Sequence, residues 1–88
     1  MKHIVHFTYR PEADRQEIAK LIPAEQAKVA QLHKEGILEA VYISNDVKQG
    51  WLVFASEDAN SVSNALESLP LYSFWSTELV LVNTLSLG

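Results

Sequence analysis

Pro70 lies in the segment Leu69-Pro70-Leu71-Tyr72, which is followed after a short gap by the strand-like run Thr77-Glu78-Leu79-Val80-Leu81-Val82. This proline dictates where a helix must stop and where a last strand can start. Proline has no amide to donate and disfavours helical backbone in the residue before it, so the stripe Val62, Ala65, Leu66 and Leu69 ends there. Asp58 opens the same stripe with a carboxylate suited to accept from the free amides of a first helical turn.

At the other end of the chain, Lys2 to Tyr9 alternates in the strand sense. Val5, Phe7 and Tyr9 share one face, Ile4, His6 and Thr8 the other, and Arg10-Pro11 ends the run. From about Asp14 to Glu35, Ile18, Leu21, Ile22, Val29 and Leu32 recur at helical spacing. Pro23 interrupts this pattern, which predicts a short first helical segment and a main helix starting near Pro23, with Gly36 as a left-handed stop. Ile37 to Ser44 and Trp51 to Ala55 are rich in β-branched and aromatic residues, and Asn45-Asp46 and Gly50 between them have the turn chemistry of a hairpin. A final strand is expected over roughly Trp75 to Leu85. The order β-α-β-β-α-β predicts an α+β, ferredoxin-like domain over residues 1–88, an antiparallel four-stranded sheet with two helices on one face.

Two helices cover only one face of such a sheet, yet both faces of the strands are apolar. Leu38, Ala40 and Tyr42 oppose Ile37, Val41 and Ile43. Trp51 and Val53 oppose Leu52 and Phe54, and Trp75, Leu79 and Leu81 oppose Phe74, Val80 and Val82. About five such side chains left in water would each forgo roughly 1.5–3 kcal/mol, comparable to the whole stability of a small domain. A homodimer with two sheets packed face to face is therefore expected.

Composition narrows the partners. A formal charge of −4 with scattered Lys and Arg offers no cationic face for nucleic acid. The absence of cysteine rules out a disulfide framework, a thiolate nucleophile and a cysteine metal site, and fits a reducing cytosol. With no apolar leader and no run of membrane-spanning length, a soluble cytoplasmic protein without membrane association is the expectation.

Glu25 is the first carboxylate to consider, because it lies three residues after Ile22 and four before Val29 and so points toward the sheet. Desolvation there raises a carboxyl pKa toward the range a general base or acid needs near neutrality. The same residue also sits just after Pro23, where an acid meets a helix dipole favourably. His6 leaves the sheet on a defined face, so its imidazole could share proton transfer with Glu25 or, protonated, stabilise an enolate or a carboxylate. Tyr42 and Tyr72 offer phenols to orient a carbonyl. Glu78 suits a dimer contact or a pocket wall. His3 and His33 carry less chemistry, His33 fitting a helix C-terminus as a cation. The histidines show no metal-ligand spacing, and no nucleophile elbow or phosphate loop is present.

Val5-His6-Phe7-Thr8, Glu25, Ala30-Gln31, Glu35-Gly36, Val53-Phe54 and Leu69-Pro70-Leu71-Tyr72 leading to Glu78 occur in an order that resembles the muconolactone isomerase family of the dimeric α+β barrel superfamily. The resemblance implies a step in aromatic catabolism: a proton and double-bond shift in a small unsaturated lactone or related organic acid, without metal or organic cofactor. It also implies assembly beyond the dimer. Where that family tends to place a Trp-Arg pair late in the second strand, this chain has Tyr42-Ile43, and His6 stands where it has lysine. Two other readings stay open: a cofactor-independent monooxygenase of the same superfamily, and a non-catalytic module for small-ligand binding or assembly.

Overall fold

The computed structural model describes all of residues 1–88. Four strands and two helices follow in the order β1 (Lys2–Tyr9), α1 (Arg15–Lys34), β2 (Leu38–Ile43), β3 (Gln49–Phe54), α2 (Ala59–Glu67) and β4 (Trp75–Val82), with a 3-10 turn at Tyr72–Phe74. The sheet order is β2-β3-β1-β4 and every neighbouring pair is antiparallel. This is the ferredoxin-like α+β architecture, with β1 and β3 in the middle. No helix is long and apolar enough to cross a membrane.

The caps follow local chemistry. Asp14 accepts from the Gln16 amide at 2.8 Å, and Asp58 accepts from the Asn60 amide at 3.1 Å, each satisfying a first-turn donor. Gly36 adopts a φ of 78°, and its amide and that of Ile37 bond back to the His33 and Leu32 carbonyls. Leu69 and Leu71 flank Pro70 as buried anchors, and α2 ends at Glu67 before them.

Four sequence expectations are corrected. α1 runs unbroken through Pro23 rather than restarting there. An interior proline costs about 3 kcal/mol, and the packing of Ile18, Leu21, Ile22, Val29 and Leu32 on the core along both halves of the helix offsets it. The second strand does not keep one alternation. A bulge pairs Leu38 with Phe54 but Ala40 with Val53, so Leu38 faces the helices while Ala40 and Tyr42 face away. Gly50 is not a turn residue: it lies in β3, where a Cβ would come 2.5 Å from Phe7 Cε2 and 2.7 Å from the Tyr42 carbonyl oxygen. β4 stops at Val82 rather than Leu85: its pairing with β1 ends where Lys2, the first residue of that strand, meets Val82.

The core is one layer between helices and sheet: Val5, Phe7, Leu32, Leu38, Leu52, Phe54, Val62, Leu66, Leu69, Leu71 and Trp75. The other sheet face carries two registered rows. Ala40, Val53, Ile4 and Val80 form one, and Tyr42, Trp51, His6 and Glu78 the next. No second layer of this chain covers them, and Tyr42 is 61% exposed.

Candidate active site

α1 and the sheet part toward the β2 edge, leaving a cavity of about 730 Å³. Helical periodicity builds one wall, since Ile22, Glu25, Gln26, Val29, Ala30 and His33 recur every three or four residues along one side of α1. Phe7, Leu38, Leu52 and Trp75 form the sheet side, and the exposed Ile43 and Val47 lie at its edge. Phe7 and Trp75 stack with ring centroids 4.2 Å apart, which holds both rings in place.

Into this apolar space α1 carries one buried carboxylate. Glu25 is 8% exposed. Its Oε1 accepts from the backbone N–H of Leu71 at 3.0 Å, a contact between residues 46 apart in the chain. Burial raises its pKa above the ordinary 4.5, and the Leu71 hydrogen bond opposes that rise. Oε2 has no protein partner, yet it is not among the fully enclosed unpartnered atoms. One oxygen is thus anchored while the other can meet a molecule in the cavity. A carboxylate so placed can take a proton from carbon and return it.

The other three expected site residues lie elsewhere. His6 stands on the open sheet face, stacked on Trp51 at 5.2 Å and bonded through Nε2 to Gln49 Oε1 at 2.8 Å. The sheet separates it from Glu25, so the two do not form a pair within one chain. Tyr42 occupies the same open face at the edge strand. Tyr72 packs on the core from the 3-10 turn, outside the cavity lining. Glu78 is registered opposite His6.

His3 is buried, with Nδ1 3.0 Å from the Ser56 carbonyl oxygen. His33 lines the cavity and has Nδ1 2.9 Å from the Leu38 carbonyl oxygen, where only a protonated Nδ1 can donate. No group of three or more His, Cys, Asp or Glu side chains is arranged to hold a metal ion.

Sequence reasoning gave Trp75 a place on one apolar face of the last strand and no part in the site. It is core, but it also lines the cavity, and its indole Nε1 is enclosed without a hydrogen-bond acceptor. Its alternation with Leu79 and Leu81 placed it on one face of β4, and its register opposite Tyr9 makes that the helix side.

Fold and cavity together define a small ferredoxin-like α+β protein with a buried carboxylate between its long helix and its sheet. The family model for muconolactone delta-isomerase matches residues 1–85, and the chain belongs to that family. Among solved structures it is similar to muconolactone isomerase, with a TM-score of 0.80 and 18% identity over 100% of this chain and 94% of that one. It is also similar to the 5-chloro-2-hydroxyhydroquinone dehydrochlorinase TftG of Burkholderia phenoliruptrix AC1100, solved in complex with 2,5-dihydroxybenzoquinone. There the TM-score is 0.76 and the identity 15%, over 94% of each chain. Comparison with curated protein sequences finds no match.

Proposed function

We propose that this protein is a cofactor-free enzyme that shifts a proton, and with it a double bond, in a small unsaturated lactone or related cyclic carbonyl compound, with Glu25 as the proton carrier. The observation that carries this reading is the divided role of the Glu25 carboxylate: Oε1 is fixed by the Leu71 amide and Oε2 is free in an apolar cavity. Desolvation makes the carboxylate a stronger base than one in water, and the anchored oxygen fixes its orientation.

A proton alpha or vinylogous to the substrate carbonyl passes to Oε2, the charge moves onto the carbonyl oxygen as an enolate, and Glu25 returns the proton at another carbon. His6 lies across the sheet, so the reading assigns both transfers to Glu25. Family membership supports the reaction class.

The test is proton NMR of muconolactone and simple butenolides in deuterated water. Enzyme-dependent solvent exchange or double-bond migration, lost in Glu25→Gln, is expected. Unchanged rates in Glu25→Gln, or no exchange with any lactone, would refute the proposal.

The open sheet face, on this reading, receives a second copy of the chain. The rows through Val53 and Trp51 are apolar and aromatic, and pairing two sheets removes them from water. Light scattering on the purified protein is expected to give twice the chain mass or a multiple of it. A monomer at micromolar concentration would refute this.

A further inference from the structure

Val47 holds a φ of 55° in the turn between β2 and β3. Left-handed backbone is normally left to Gly, Asn or Asp, because a β-branched side chain there crowds its own backbone. The turn fixes this conformation. The Val47 amide donates to the Ser44 carbonyl at 2.9 Å, and Asp46 Oδ1 accepts from Ser44 Oγ at 2.6 Å and from the Lys48 amide at 3.1 Å. Packing within the chain does not offset the strain, since Val47 is 66% exposed. Val47 instead lines the edge of the cavity that holds Glu25. Strain kept at an exposed apolar residue beside a pocket points to a use for that residue in the pocket.

The shape of the cavity gives an independent constraint. On α1 its lining runs from Ile22 to His33, about 16 Å of helix axis, and on β2 from Leu38 to Ile43. At about 730 Å³ it has the size of pockets that take drug-sized molecules, whereas a single lactone ring fills only the part that Glu25 reaches. What remains is apolar. Gln26, His33 and Glu39, the polar lining residues besides Glu25, are all exposed, and Glu39 Oε2 is paired with Lys2 Nζ at 2.7 Å. No Lys or Arg lines the space to meet a charged arm.

We propose that the compound bound here carries an apolar chain of several carbons on its ring, with the ring at Glu25 and the chain seated over Ile43 and Val47. This deepens the proposed proton-transfer function and rests on reading the cavity as the substrate pocket. Ile43 and Val47 select for the chain and take no part in the chemistry. Withdrawing the chain from water supplies binding energy remote from the reacting carbons and holds the ring beside the carboxylate.

The test is titration of the purified protein with 2(5H)-furanones bearing a methyl, propyl or pentyl group on the ring carbon next to oxygen, followed by NMR of the protein methyl groups. The pentyl compound is expected to bind at least about tenfold more tightly than the methyl compound, roughly twofold for each half-covered methylene. It should shift the methyl signals of Ile22, Val29, Ile43 and Val47 and leave in place those of Ile4, Val53 and Val80 on the open sheet face. Val47→Asn relieves the strained turn and so keeps the fold; it should lower the pentyl-to-methyl affinity ratio about threefold. Leu87→Asn, which removes an exposed apolar side chain outside the cavity, should leave that ratio unchanged.

A pentyl compound that binds no more tightly than the methyl one overturns the inference. So does a ratio that is unchanged in Val47→Asn or falls as far in Leu87→Asn, a set of shifts confined to Ile4, Val53 and Val80, or no binding of any of the three compounds at millimolar concentration. Chain-dependent binding in the cavity without deuterium exchange at the ring would sink the proton-transfer reading and leave this one standing. Deuterium exchange that saturates at the same concentration of methyl and pentyl compounds would do the reverse.

Discussion

Replacing Glu25 by Gln and by Ala separates the two things this side chain does. Glutamine keeps an acceptor oxygen for the Leu71 amide and cannot take a proton; alanine removes both. Because the N–H to Oε1 bond is 3.0 Å long and buried, its loss leaves the Leu71 amide unsatisfied, which costs about 1–3 kcal/mol. In a chain of 88 residues, 1 kcal/mol moves Tm by roughly 5 °C, so Glu25→Ala should melt about 5–15 °C below Glu25→Gln.

The wild type falls between them in a pH-dependent way. Its carboxyl pKa is raised in the folded state above the ordinary 4.5, so burial of the charge weakens the fold at any pH above the folded value. That penalty shrinks as pH falls through the folded value and is gone below 4.5. Glu25→Gln should therefore be more stable than wild type at pH 7 and equal to it at pH 4, by urea denaturation at both. Equal melting of the Gln and Ala variants would show that the Leu71 contact does not hold the site together. A wild type that is the more stable at pH 7 would refute the desolvation argument.

Ile43→Arg sets a guanidinium at the exposed edge of the cavity and should improve muconolactone binding by up to about fivefold, an effect that fades with added salt in titration calorimetry. Gly50→Ala forces a Cβ against Phe7 and the fixed Tyr42 carbonyl; a loss of about 1–3 kcal/mol is expected by thermal denaturation. Val47 holds a φ of 55°, strained for a β-branched residue, so Val47→Asn should raise stability by about 1 kcal/mol in the same assay. Pro23→Ala restores a helical amide and should add about 1–3 kcal/mol, detectable as a higher urea midpoint.

Much of the fold was legible because its punctuation is local. Asp58, Gly36 and Pro70 act through their own backbone and neighbouring amides, and the structure uses each as its chemistry requires. What escaped depends on residues far apart in the chain. Pro23 reads as a break because proline's cost is local while the packing that outweighs it comes from the sheet. The bulge at Glu39 reverses an alternation that looks uninterrupted in the sequence, and Gly50 resembles a turn residue until Phe7 is laid across it.

The site divides the same way. The spacing of Glu25 within an apolar stripe already aimed it at the sheet, where it lies. Which sheet face the helices would cover was not settled by alternation alone, so His6 and Tyr42 could be joined to Glu25 on paper although the sheet stands between them. The solitary indole nitrogen of Trp75 has no sequence signature, since it is defined by the acceptors its surroundings fail to provide.

The placing of β1 between β3 and β4 ties the chain's beginning to its end, with Lys2 registered against Val82. During synthesis β1 is left with one edge bare until β4 emerges, and it carries Ile4, Val5 and Phe7. A chain cut short before Trp75 keeps that bare edge permanently, and also loses an indole that lines the pocket. Shortening at the C-terminus therefore strikes the middle of the sheet rather than its margin.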